Sequence, residues 1–227
     1  MVNISKINKT IHKGSTYVII DGKRLEYQDL FKRNINCKRE LLKKASVCVL
    51  GLGGLGSNIA VYLARSGIGK LLLVDFDCVE PSNLNRQYYS LNHIGMKKTQ
   101  ALVEIIRLIN PFIDIETIDT KIDINNIDEI VAGQNIVCEA LDDPTSKSML
   151  VSEILSKYDE KMVVAASGMA GIGDANMIRT EKKFKRLYLC GDERSDFEKT
   201  DGMMAPRVSI CAGHQANIII RLIMGLE

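Results

Sequence analysis

Gly51, Gly53 and Gly56 stand in the stretch GLGGLGSN, directly after the apolar run SVCVL, and reproduce the spacing G-x-G-x-x-G. Between a strand and a helix this spacing has a physical use. Gly51 permits a tight turn, Gly53 lets a phosphate approach the backbone, and Gly56 lets the helix pack closely on the strand. Gly54 belongs to the same loop, and the helix that follows turns its free N–H groups toward the anion. Asp75, nineteen residues after Gly56, is placed to accept hydrogen bonds from ribose hydroxyls. Further on, FDCVEPSNLNRQYYSLNHIGMKK holds Asn83, Arg86, Gln87 and Lys98. Arg86 and Lys98 could offset the extra charge of a triphosphate and of a departing pyrophosphate, with Asn83 and Gln87 as uncharged hydrogen-bonding groups beside them. The glycine loop and Asp75 alone suit NAD and ATP equally. A charge-rich stretch is also what a solvated surface loop looks like.

The elements that would hold these residues follow a simple order. SVCVL and KLLLVDFD read as buried strands flanking the helix LGSNIAVYLARSG, which a glycine ends. KKTQALVEIIRLIN reads as an amphipathic helix stopped at Asn110-Pro111, and DIETIDTKI as a half-buried strand. IVCEAL, the helix PTSKSMLVSEILSKY with Pro144 in its first turn, and KMVVAAS continue the alternation. Continuous apolar strands between helices imply a parallel sheet covered on both faces, an α/β Rossmann-like, doubly wound fold. After Ser167 the pattern changes: a glycine-rich turn SGMAGIGDAN, two strands NMIRTE and FKRLYLC in a more antiparallel finish, and a long apolar helix VSICAGHQANIIIRLIMG. That helix is apolar enough to be buried against the sheet or a second subunit. Residues 1–44 read as an N-terminal arm with a hairpin around Asp21-Gly22 and a helix over LFKRNINCKRELLKKA; residues 45–227 read as the nucleotide-binding domain.

Composition limits the alternatives. In 227 residues, 46% are apolar and 26% charged, with a formal net charge of +2, so no footprint for nucleic acid or an anionic membrane is visible. The basic run at Lys182, Lys183, Lys185 and Arg186 reads as a solvated turn. The polar N-terminus has no signal core and no stretch reaches the ~20 apolar residues of a membrane span, which points to a cytoplasmic protein. None of the six cysteines forms a C-x-x-C pair, and the histidines form no H-x-x-x-H pair, so no structural metal site is expected. Cys48, Cys138 and Cys211 read as core residues.

GLGGLG at Gly51–Gly56, DFDCVEPSNLNRQ at Asp75–Gln87 and IGMKKTQA at Ile94–Ala101 resemble the ThiF/MoeB group of the ubiquitin-activating-enzyme superfamily. SNLNRQYY, EALDDPTSK, ASGMAGIGDAN and APRVSICAGHQAN look most like its shorter ThiF-type members of the family 2 type, linked to thiamine synthesis. The resemblance covers residue 46 to the C-terminus. It implies adenylation, with ATP and Mg2+, of the C-terminal glycine carboxylate of a ubiquitin-like sulfur carrier of the ThiS type, followed by conversion to a thiocarboxylate by a separate sulfur donor.

By motif position the resemblance sets the glycine loop against the nucleotide and Asp75 on the ribose. Asn83, Arg86, Gln87 and Lys98 then hold the phosphates, and Asp142 in EALDD acts near Mg2+. It also implies a homodimer in which an arginine of one N-terminal arm reaches the partner's ATP; Arg33 in FKRN is the candidate, with a solvated helix arginine as the competing reading. Cys190 in LYLCGDERSD lies where the family can carry a reactive cysteine, although Asp192 and Glu193 beside it would disfavour a thiolate. The glycine-rich turn at Gly168, Gly171 and Gly173 could pass a carrier's tail toward the α-phosphate, or be a plain turn. The alternatives are a carrier of the MoaD type, a carboxylate-activating dehydratase that modifies tRNA, an NAD-dependent oxidoreductase and a non-catalytic scaffold. A triphosphate site accounts for Asn83, Arg86, Gln87 and Lys98, which an NAD site leaves without a task.

Overall fold

The computed structural model describes residues 17–35, 38–196, 200 and 202–227. A seven-stranded sheet forms the centre, in the order β5-β4-β3-β6-β7-β9-β8. Its strands are β3 (Ser46–Leu50), β4 (Lys70–Val74), β5 (Asp114–Ile118), β6 (Ile136–Glu139), β7 (Met162–Ala166), β8 (Arg179–Phe184) and β9 (Leu187–Gly191). All neighbours pair in parallel except β8 with β9. The chain first builds outward from β3 through β4 to β5, then returns to lay β6 on the other flank of β3. The topological switch point, where ligands of open α/β sheets sit, therefore lies between β3 and β6.

Alternate residues of each central strand serve opposite faces, and both faces are covered. Val47, Val49, Leu71, Leu73 and Cys138 pack with α3 (Gly54–Arg65), α4 (Lys98–Ile109) and α7 (Ala205–Ile223). Cys48, Leu50, Leu72, Val74 and Val137 pack with α5 (Ile127–Val131) and α6 (Pro144–Lys157). This is why these strands read as unbroken apolar runs. The final helix α7 lies along α3 and against β7, β8 and β9 of its own chain, so its apolar face is used internally.

At the N-terminal end, β1 (Tyr17–Ile20) and β2 (Lys23–Glu26) form the hairpin around Asp21 and Gly22, both at positive φ. The following segment differs from the single helix expected. It forms a short α1 (Tyr27–Leu30), turns through Phe31–Asn34, and resumes as α2 (Arg39–Lys44). Tertiary bonds explain the break: Tyr27 donates its hydroxyl to Gly67 O at 2.7 Å, and Asn34 donates its side-chain amide to Ser66 O at 2.9 Å. Asparagine competing for a backbone group is a common way to interrupt a helix. Cys37 lies outside the described residues. No helix among the described residues is long and apolar enough to cross a membrane.

Candidate active site

The glycine loop leaves β3 at the switch point and is fixed by backbone sterics. Gly51 has φ +88°, and a Cβ there would stand 2.7 Å from Ala140 O at the end of β6. A Cβ on Gly56 would stand 1.8 Å from Gly51 O, so helix α3 presses directly onto the loop it follows. Only glycine fits either place. The α3 N-terminus thus opens at the sheet's carboxyl edge with its first amides free for an anion.

Asp75, buried at the end of β4, reaches back to this loop. Its Oδ2 accepts the Leu52 amide at 2.6 Å and its Oδ1 accepts the Asp77 amide at 2.8 Å. Burial raises the Asp75 carboxyl above the ordinary carboxylate range, opposed by the Asp77 amide, the Lys98 charge and the Leu52 amide. Tyr89 donates its hydroxyl to Leu52 O at 2.8 Å, so Leu52 is gripped at both backbone groups.

The segment Asn83–Tyr89 lies across the start of α3. Ser57 Oγ accepts the Tyr88 amide at 3.0 Å, and Asn58 donates its side-chain amide to Arg86 O at 3.0 Å. Arg86 is consequently half-buried over the loop, its Cγ 3.5 Å from the place a Gly54 Cβ would take. Its guanidinium bonds Ser82 O and Asn85 Oδ1 at 3.2 and 2.8 Å. Gln87 is buried beside Gly53, and its Oε1 has no hydrogen-bond partner. Lys98, also buried, pairs with Asp77 Oδ2 at 2.7 Å, and its own amide donates to Asp77 O at 2.9 Å. Asn83 does something more local: its Oδ1 accepts the Glu80 amide at 3.1 Å and closes the turn Pro81–Asn83.

Asp142 stands exposed on the same carboxyl edge, just past β6, while Asp143 caps α6 by accepting the Ser146 amide at 2.7 Å. Hydrogen bonding to Ser146 holds the Asp143 carboxyl below its usual range. Arg33 is exposed and follows α1, whose neighbours Tyr27 and Asn34 bond the far end of α3 at Gly67 and Ser66. A twelve-residue helix spans about 18 Å, so within one chain Arg33 is not brought to the glycine loop.

Cys190 is fully buried in β9, where burial pushes its thiol up to about 11. The cause is desolvation, because the Asp192 carboxylate is bound elsewhere: it pairs with Arg207 and accepts the Arg194 and Ser195 amides at 2.9 and 2.8 Å. Arg207 also donates to Gly173 O and Asp174 O at 2.6 and 2.8 Å, bolting the glycine-rich turn to α7. In the basic run, Lys183 pairs with Glu181 and Glu193, and Arg186 donates to Tyr158 O and Leu155 O.

Sequence reasoning did not single out Ser57, Asn58, Asp77, Tyr89, Glu139, Lys147 or Arg207. Ser57 and Asn58 close the GLGGLGSN motif, and Asp77 stands in DFD, so their proximity to the motifs was the one available signal.

Fold and site together define a nucleotide-type cradle at the switch point of a Rossmann-like sheet. The chain belongs to the ThiF family, whose model matches residues 20–227. It is 29% identical over 191 residues to the molybdopterin-synthase adenylyltransferase of Salmonella typhimurium, covering 82% of this chain and 75% of that protein. It is 36% identical over 140 residues to the tRNA threonylcarbamoyladenosine dehydratase of Haemophilus influenzae, covering 61% of this chain and only 53% of that protein. Among solved structures, the E. coli tRNA threonylcarbamoyladenosine dehydratase in complex with ATP shares the fold, with TM-score 0.78 at 22% identity over 88% of this chain and 93% of that one.

Proposed function

We propose that this chain binds ATP and adenylates a carboxylate, and that the carboxylate is the C-terminal glycine of a ubiquitin-like sulfur carrier of the ThiS type. The observation that carries this reading is the lashing of Arg86 and Tyr88, the residues on either side of Gln87, onto Asn58 and Ser57 of the glycine-loop helix. It sets a cation and the Gln87 side-chain NH2, a donor 3.8 Å from the place a Gly53 Cβ would take, beside the cradle. A diphosphate held by backbone amides does not require them; a triphosphate that must be broken does.

In this reading a carboxylate oxygen of the carrier attacks the α-phosphorus of ATP. The bond from that phosphorus to the pyrophosphate oxygen breaks, and pyrophosphate leaves with the electron pair. The carboxylate is already ionised at neutral pH, so no general base is needed, and catalysis is positioning plus neutralisation of charge. Arg86 and Lys98 face the growing negative charge, Gln87 orients the phosphates, Asn83 joins it only through the side-chain NH2 that its turn bond leaves over, and Asp75 takes the ribose. No cluster of three or more metal-ligating side chains exists among the described residues. Mg2+ ordinarily takes one or two carboxylates and lets the phosphates supply the rest, and Asp142 stands exposed at the sheet edge where they would lie. Asp142 would be its protein ligand, and the ion would add Lewis-acid neutralisation at the phosphates. A homodimer with Arg33 reaching the partner's phosphates, and a separate sulfur donor, complete the proposal.

The test is ATP–pyrophosphate exchange with ThiS-type and MoaD-type carriers ending in Gly-Gly, and with tRNA bearing threonylcarbamoyladenosine. Exchange with the ThiS-type carrier alone supports the reading in full. Exchange with the tRNA alone moves the chain to the dehydratase reaction, which its 36% identical relative makes the second reading. Binding of NADH with no exchange on any substrate overturns adenylation.

A further inference from the structure

Glu139 ends β6 with no exposed surface, an unusual place for a carboxylate. Its Oε1 accepts the Leu141 amide at 2.7 Å and lies 3.1 Å from Lys147 Nζ. Lys147, in the first turns of α6, also donates to Leu141 O at 2.8 Å. Gln215 of α7 donates to Glu139 O at 3.0 Å from the opposite side of the sheet. Two charged groups thus converge on one residue, Leu141, and hold both of its backbone polar groups.

An ion pair with one partner fully buried and the other, Lys147, about one-fifth exposed is weak evidence for stability. Removing two charges from water is costly, and apolar replacements of similar size often serve as well. What this pair achieves that an apolar one could not is control of two peptide planes. The Leu141 carbonyl belongs to the peptide bond that leads into Asp142. On its other side, Asp142 is followed by Asp143, which is locked as the α6 cap. Asp142 is therefore the one exposed, unanchored side chain between two fixed backbone positions, at the sheet edge where the glycine loop opens.

We propose that Glu139 and Lys147 are positioning residues that fix the Leu141 peptide groups and so aim the Asp142 carboxylate at the metal-bound phosphates. The inference rests on the adenylation reading, which puts Asp142 beside Mg2+. The pair touches neither substrate nor metal; it acts through the backbone.

The experiment measures ATP binding calorimetrically with and without Mg2+ on the full chain. Mg2+ tightens ATP binding by the wild type, and Asp142→Asn loses that gain. Lys147→Met and Glu139→Met, each of which removes the bond to Leu141, lose the Mg2+ gain by roughly tenfold, as changes behind a metal ligand do, and keep metal-free ATP affinity. Lys147→Arg, which retains charge and donors, restores the gain, and Asp142→Asn with Lys147→Met is no weaker than Asp142→Asn alone. If Lys147→Met does not fold, Glu139→Met carries the comparison, since it keeps nearly the same volume and removes the acceptor of the Leu141 amide. An intact Mg2+ gain in the folded variants overturns the clamp. So does an equal loss with and without Mg2+, the mark of a merely structural pair. Absence of any ATP binding by the wild type removes the adenylation reading beneath it, a result distinct from those two.

Discussion

Asp75 Oδ2 accepts the backbone amide of Leu52 at 2.6 Å, so the carboxylate that ends one strand holds the glycine loop that leaves the next. The same side chain is proposed to meet the ribose, which makes it both ligand and loop anchor. Asp75→Ala is expected to weaken ATP binding by about two orders of magnitude, beyond the loss of one ribose contact, because a buried amide is also left unpaired. Calorimetry with ATP and with tripolyphosphate separates the roles: a lost ribose contact affects only ATP, a loosened loop affects both.

Gly56→Ala puts a methyl group where only 1.8 Å separates it from Gly51 O. The expected cost is at least about 3 kcal/mol, read as a lower midpoint in urea unfolding, together with loss of nucleotide binding. Gly133→Ala serves as the control, since a Cβ there meets nothing within 4 Å. Equal stability of the two variants would contradict the packing described.

Ser57→Ala removes the acceptor of the Tyr88 amide while leaving every charged group in place. Pyrophosphate exchange is expected to fall about tenfold, because sub-ångström misplacement of the Arg86 segment is enough to lose that much. Stability should drop by about 1–2 kcal/mol for the unpaired amide. Full exchange in a measurably destabilised variant would show that the strap does not position the site.

Arg33 is exposed and remote from its own glycine loop, so any action on phosphates must be across a dimer. Arg33→Ala and Lys98→Ala are each expected to lose exchange by about a hundredfold, the scale of removing one charge-stabilising group. Mixed and re-equilibrated, they should recover part of the activity, because a mixed dimer holds one intact site. No recovery, with mixed dimers shown to form, would leave Arg33 an ordinary surface residue.

Acid should loosen the glycine-rich turn through Asp192. Burial by itself would raise this carboxyl. The Ser195 and Arg194 amides, the Ser195 hydroxyl and the Arg207 charge outweigh it and hold the carboxyl below its usual range. A depressed carboxylate contributes stability above its unfolded pKa, about 3.9, and loses it as pH falls through the lower folded value. The melting temperature of the wild type should exceed that of Asp192→Asn by about 5 °C at neutral pH, and the two curves should converge as pH falls through the folded value. Parallel curves across that range would assign the ion pair no net role.

Much of the architecture could be read from local pattern. Unbroken apolar runs gave the central strands because both sheet faces are covered, and the 3.6-residue period with terminal Gly and Pro gave α3, α4 and α6. Gly51, Gly56, Asp75, Arg86 and Lys98 could be nominated because each sits within a contiguous motif, and the fold brings them to one edge of the sheet. The break between α1 and α2 was not, since the bonds that cause it join residues more than thirty positions apart in sequence. The contacts that shape the site are of the same kind. Ser57 meets Tyr88, Leu52 meets Asp75, and Gln215 meets Glu139 only after the sheet has stacked its strands and laid α7 across them. The sequence alone determined which groups are available and on which elements they ride, because propensity and periodicity are local. Which carboxylate anchors a loop, which is sealed beneath it, and whether a cysteine such as Cys190 can react depend on burial and long-range hydrogen bonds, and those exist only in the folded chain.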